Sequence, residues 1–111
     1  MSRYIVKLPH AERPYVEWCS IVDAPRTRGI THFELEEHIK EEYGNEGLRE
    51  MPARMARVEE HGTSGYDGET AENSIEANRA GAGETCLTME QLVDFYCERQ
   101  CVGDKPKGTS R

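Results

Sequence analysis

Apolar residues recur with a period of two at the start of this chain and with steps of three and four thereafter, a switch that predicts a strand pair followed by helices. Tyr4, Val6 and Leu8 fall on one face of an extended segment, with Ile5 and Lys7 on the other. Pro9 and Pro14 bracket a turn-rich stretch, because each fixes φ and removes a backbone donor, and pairing is expected to resume at Tyr15. From Tyr15 to Asp23, Val16, Trp18, Ser20 and Val22 share one face, and Tyr15, Glu17, Cys19 and Ile21 share the other. The two segments read as a β-hairpin with Trp18 as the largest core anchor and Cys19 on the opposite side.

A helix start follows the basic connector Ala24–Gly29. Thr31 is the expected cap, Glu34 completes a capping box, and Ile30 with Leu35 has the spacing of a hydrophobic staple. His32, Leu35, Ile39 and Tyr43 recur at helical steps as an inward stripe, and Gly44 is the expected stop. Leu48, Met51, Met55 and Val58 also have helical spacing, but Pro52 disfavours the α conformation at Met51, so a new helix is expected to begin near Pro52 and end near Gly62. The competing reading makes 54–61 a polar edge strand beside the hairpin. At Leu87 the same grammar returns: Thr88 as cap, Gln91 as box partner, and Leu87 with Leu92 as staple, ahead of a helix running to Gly103. Between them, 62–85 holds five glycines and five acids against one arginine, and it reads as loop-rich and partly disordered, with a short helix over Thr70–Arg79.

Composition sharpens this division. Leu, Ile, Val and Phe make up 18 of 111 residues, under the level of about 20 per cent below which high net charge signals disorder, yet most of them lie in the two ends. The expected fold class is α+β: an N-terminal β-hairpin packed against two or three α-helices, with a flexible Gly-rich acidic middle segment. One domain is expected over 1–103, with a disordered basic tail over 104–111. The net charge of −7 disfavours direct nucleic-acid binding, which depends on Lys and Arg displacing counterions. No apolar run approaches a spanning helix and the first residues lack a signal-peptide core, so the expectation is a cytoplasmic chain without membrane contact.

Few residues suggest chemistry. Cys97 and Cys101 are four apart, and with Cys86 and a histidine they are the only candidates for a zinc site; no Cys-x2-Cys knuckle supports one, and thiols filling small apolar gaps are the favoured reading. No thiol is paired by motif with His10, His32, His38 or His61. GAG at 81–83 lacks the Lys-Ser/Thr of a phosphate loop, and HGTSG at 61–65 is unaccompanied by a nucleophile elbow. No cofactor is expected. The solvated face of the first long helix, Glu36, Glu37 and Glu41, and the connector residues Arg26 and Arg28 are the candidate binding positions for a protein partner.

The segments RYIVKLP, YVEWCSIVDAP, THFELEEHIKEEYG and CLTMEQL resemble small uncharacterised proteins encoded by actinobacterial phages and prophages. The resemblance carries no functional residues; it implies a small intracellular accessory protein acting on a host factor. The function expected is therefore a non-enzymatic protein-binding or regulatory role. The alternatives are an acidic nucleic-acid mimic that blocks a DNA-binding protein and a small zinc-stabilised module, and an exposed apolar patch would instead indicate a homodimer.

Overall fold

The computed structural model of this protein describes residues 3–65 and 70–99. Strands β1 (Arg3–Lys7), β2 (Tyr15–Cys19) and β3 (Ala24–Pro25) form an antiparallel sheet in the order β1-β2-β3. The hairpin register sets Tyr4 opposite Trp18, Ile5 opposite Glu17, and Val6 opposite Val16. The short third strand was not anticipated; it forms because the chain turns at Asp23, whose φ is +51°, and brings Ala24 back beside Cys19.

The free side of β1 is covered by the chain that follows the long helix. Lys7 N donates to Gly62 O at 2.8 Å, Ser64 N to Ile5 O at 2.9 Å, and Ile5 N to Ser64 Oγ at 2.8 Å. Thr63 and Ser64 are buried in doing so, and the backbone groups of an otherwise open sheet edge are satisfied.

Helix α1 (His32–His61) opens with the expected capping box: Glu34 N donates to Thr31 Oγ1 and Thr31 N to Glu34 Oε1, each at 3.1 Å. It breaks at Gly44, whose φ of 69° and ψ of −158° leave the helical region, and then resumes at once. The second helical stretch therefore begins well before Pro52, which lies inside it, and 54–61 is helix and not an edge strand. Proline cannot donate to the Leu48 carbonyl, but Gly47, Met51 and Val58 are buried along this stretch, and that packing outweighs one missing bond. Gly62 ends α1 in a left-handed conformation, its N–H bonded to Val58 O. His32, expected on the inward stripe, is exposed; Leu35 and Ile39 are fully buried.

The helices do not share one core. Ile5, Tyr15, Ile30, Leu35, Ile39, Met51 and Val58 form a cluster on one side of the sheet, which α1 covers. On the other side, Val6, Val16 and Trp18 pack with Ile75 of α2 (Ala71–Glu76) and with Leu87, Leu92, Phe95 and Tyr96. Leu92 ends α3 (Met89–Leu92), which starts with a second complete capping box on Thr88 and Gln91 and widens into a π-helical stretch over Val93–Glu98. The C-terminal helix lies on the face of the hairpin opposite α1, and every residue of β2 is buried as a result. Between α2 and α3, buried Asn78 ties the connecting chain together: its Nδ2 donates to the Ile75 and Leu87 carbonyls, and its Oδ1 accepts from the Ala80 and Leu87 amides. The expected stop at Gly103, the 104–111 tail and Tyr66–Glu69 of the Gly-rich middle lie outside the described residues.

Two glycines of α1 test different physics. A Cβ at Gly47 would meet Tyr43 Cβ at 2.6 Å and Ile39 Cγ2 at 2.9 Å, so Gly47→Ala is expected to destabilise by about 1–3 kcal/mol through overpacking. A Cβ at Gly44 meets nothing within 4 Å, so Gly44→Ala is expected to cost about 1–3 kcal/mol through backbone strain alone. Urea unfolding of both variants checks this, and an unchanged midpoint in either refutes its half.

Candidate functional site

Alternation along β2 puts Glu17 on the face opposite Trp18, and α1 covers that face, so a carboxylate is sealed in the interior with no exposed surface. Three side chains from two directions meet it. Arg26, just after β3, donates Nη1 to Glu17 Oε1 at 2.6 Å; His38 Nε2 of α1 lies 3.2 Å from the same oxygen; Tyr43 donates its hydroxyl to Oε2 at 2.7 Å. Arg3 Nη1 in turn donates to the Tyr43 hydroxyl at 3.4 Å. Burial pushes the Glu17 pKa up, but the hydrogen bonds from Tyr43, His38 and Arg26 together outweigh it and hold the carboxyl below its ordinary range.

Four of the five sequence-predicted binding residues come together. Arg26, Arg28, Glu37 and Glu41 line one shallow depression of about 350 Å³, together with His38. Glu36 is on another flank of α1, paired with His32 at 3.4 Å. Arg26 is engaged by Glu17, so its role is at least partly structural.

A larger cleft, about 780 Å³, opens where the β2–β3 turn, the second half of α1 and α2 meet. Its walls carry Arg3, Arg54, Arg57, Ser64, Asn73 and Ser74, with Asp23 and Glu50 also present. None of these was singled out from the sequence. The available signal was positional: Arg54 is three residues after Met51 and four before Val58, a charged residue on an inward stripe, just as Glu17 is a charged residue in an otherwise apolar strand.

The groups usually needed for covalent chemistry are kept apart. Cys97 is buried under Gly29, and desolvation, with Glu98 adding to it, raises its pKa to about 11, far from a thiolate at neutral pH. Cys86 Sγ sits 3.7 Å from the Glu76 and Leu87 carbonyl oxygens, and Cys101 is outside the described residues. Among the described residues no three His, Cys, Asp or Glu side chains gather as a metal set. Each histidine faces a carboxylate: His10 with Glu98 at 3.0 Å, His32 with Glu36, His38 with Glu17, and His61 with Glu60 at 3.7 Å. No described helix is long and apolar enough to cross a membrane. No protein-family model, curated protein or solved structure matches the chain.

The Glu17 cluster makes stability pH-dependent with a definite sign. A carboxyl held below its ordinary value of 4.5 binds fewer protons folded than unfolded, so its contribution is complete above that value and is lost as pH falls through the folded one. The stability gap between the native chain and Glu17→Gln is therefore expected to be constant near neutrality and to shrink below about pH 4.5. Arg26→Met, which strips a buried charge of one partner while leaving two, is expected to cost about 3 kcal/mol at pH 7. Denaturant titrations at pH 3, 4, 5 and 7 check both, and a gap that widens on acidification refutes the assignment.

Proposed function

We propose that this protein is a non-enzymatic binding protein that regulates a protein partner by docking through its β2–β3 turn. The observation that carries this reading is the way the turn is held. Ile21 and Val22, at its tip, are 69% and 50% exposed, although the chain has few large aliphatic residues to spend. The turn beneath them is braced by Arg79, which donates Nη2 to Ile21 O at 3.0 Å, gives its backbone N–H to Asp23 O at 2.8 Å, and ion-pairs Asp23 at 3.2 Å. A turn tied down by these contacts loses less entropy when a partner covers its two adjacent apolar side chains. Scattered exposed hydrophobes need no explanation, but a pre-organised pair is the pattern of an interface anchor. The resemblance to phage-encoded proteins supports a host protein as that partner.

The acidic face of α1 would then assist approach, not dominate contact, since exposed charges act chiefly on association rate. The test is capture from host lysate by the native chain and by two variants. Ile21→Ser/Val22→Ser is expected to weaken capture of a specific partner by about tenfold or more with little change in Tm, whereas Glu37→Lys/Glu41→Lys retains it at moderate salt. Capture indifferent to the turn, or robust turnover of a substrate by the isolated chain, overturns the reading.

A further inference from the structure

We propose that the arginine-lined cleft behind the turn is a binding site for a small phosphorylated molecule, with Arg54 as the central contact of its phosphate group. This goes beyond the docking turn and does not depend on it.

Arg54 is 6% exposed, and its guanidinium makes no hydrogen bond or ion pair with any described residue. An arginine whose side chain is packed among protein atoms, and whose guanidinium opens only onto the cleft, must find its counter-charge and acceptors there. The acids among the described residues do not meet it. Glu50, one turn earlier on α1 and also at the cleft, forms no ion pair with it; Asp23 is engaged by Arg79, Glu59 by Lys7 and Tyr15, and Glu17 by its own cluster. None of the Arg54 guanidinium nitrogens is sealed as a buried unsatisfied donor, so the group keeps access to the cleft it lines.

The surroundings suit an oxyanion with several acceptor oxygens. Arg57 and Arg3 stand at the same cleft, and Arg57 is oriented by its Nε bond to Ser64 O at 2.9 Å. Ser64 Oγ accepts from the Ile5 amide, which leaves its own hydroxyl proton to donate. Asn73 and Ser74 of α2 also line the cleft, Ser74 Oγ sharing a 3.0 Å hydrogen bond with the Tyr4 hydroxyl. The Arg54 guanidinium, in a cleft that two further arginines and side-chain donors of other elements also line, suits the several terminal oxygens and double charge of a phosphate better than the two coplanar oxygens of a carboxylate. About 780 Å³ exceeds what phosphate alone fills and lies within the usual range for small-molecule sites; the Tyr4 and Ala77 walls are apolar surface for an organic remainder.

Inorganic phosphate and ribose 5-phosphate, titrated at low ionic strength into the full chain with amide shifts as readout, test the site, with citrate at matched ionic strength as the carboxylate arm. Saturable shifts confined to Ser64, Gly65, Asn73, Ser74 and Ala77 are expected, with ribose 5-phosphate binding more tightly than phosphate and citrate more weakly than either. Arg54→Met is expected to weaken binding by about tenfold or more, and Arg54→Lys, which keeps charge but loses the planar fork, by a smaller factor. Should Arg54→Met fail to fold, Arg54→Lys decides. The proposal is overturned by the absence of saturable cleft shifts, by affinity unchanged in the folded Arg54 variants, or by a preference for citrate.

Discussion

The arrangement of this protein depends on a carboxylate in the wrong place. Glu17 stands at the middle of the central strand, on the face that α1 covers, and an uncompensated charge there would be strongly destabilising. Arg26, His38 and Tyr43 offset that cost only if the segment after β3 and the first half of α1 sit where their donors reach two particular oxygens. Apolar contacts tolerate sliding; a carboxylate with three directed partners does not. The cluster therefore sets the azimuth and depth at which α1 lies on the sheet, while Leu35, Ile39 and Ile5 supply the burial.

That placement propagates. Tyr43 must end the first half of α1 facing inward, and the helix breaks at the next residue, where Gly44 takes a backbone conformation open to glycine. The break lets the second half resume along a new path, close enough at Gly47 that no Cβ fits against Tyr43 and Ile39, and it carries Met51 and Val58 onto the same cluster. The end of α1 then delivers Gly62–Ser64 to the open edge of β1. One hairpin so serves two cores, with Trp18 and Val16 turned toward the C-terminal helices and Ile5 and Tyr15 toward α1.

Local grammar was legible because it is written in neighbouring residues. Both capping boxes and the end of α1 at Gly62 follow from contacts spanning no more than four positions, and the hairpin with Trp18 as anchor follows from the alternation of neighbouring residues. What escaped depended on which surface each face would meet. Glu17 and Cys19 were read as the far side of a half-exposed hairpin, and no local rule announces that a second layer of helix covers them. Pro52 illustrates the same limit from the other side: its local preference for a helix start was overridden by the burial of Gly47 and Met51 before it. The predicted site was partly gathered, since Arg26, Arg28, Glu37 and Glu41 share a depression, but the arginine cleft joins residues from β1, α1 and α2 that no spacing connects.

Net charge is the property that misleads most here. An acidic chain at −7 suggests a basic partner, and over long distances, through screened solvent, that holds for approach. Inside a concave site the relevant quantity is the charge within a few ångströms in a medium less polar than water, where distant surface carboxylates count for little. Three arginines line the cleft, one of its two acids is already held by Arg79, and Arg54 is buried without a partner among the described residues. The acidity of the whole and the affinity of the cleft for an anion are therefore compatible. The surface field slows an anion's arrival, whereas the guanidinium that opens onto the cleft governs how long it stays, so a phosphorylated ligand here would bind with a modest association rate and a strong dependence on Arg54 in its dissociation.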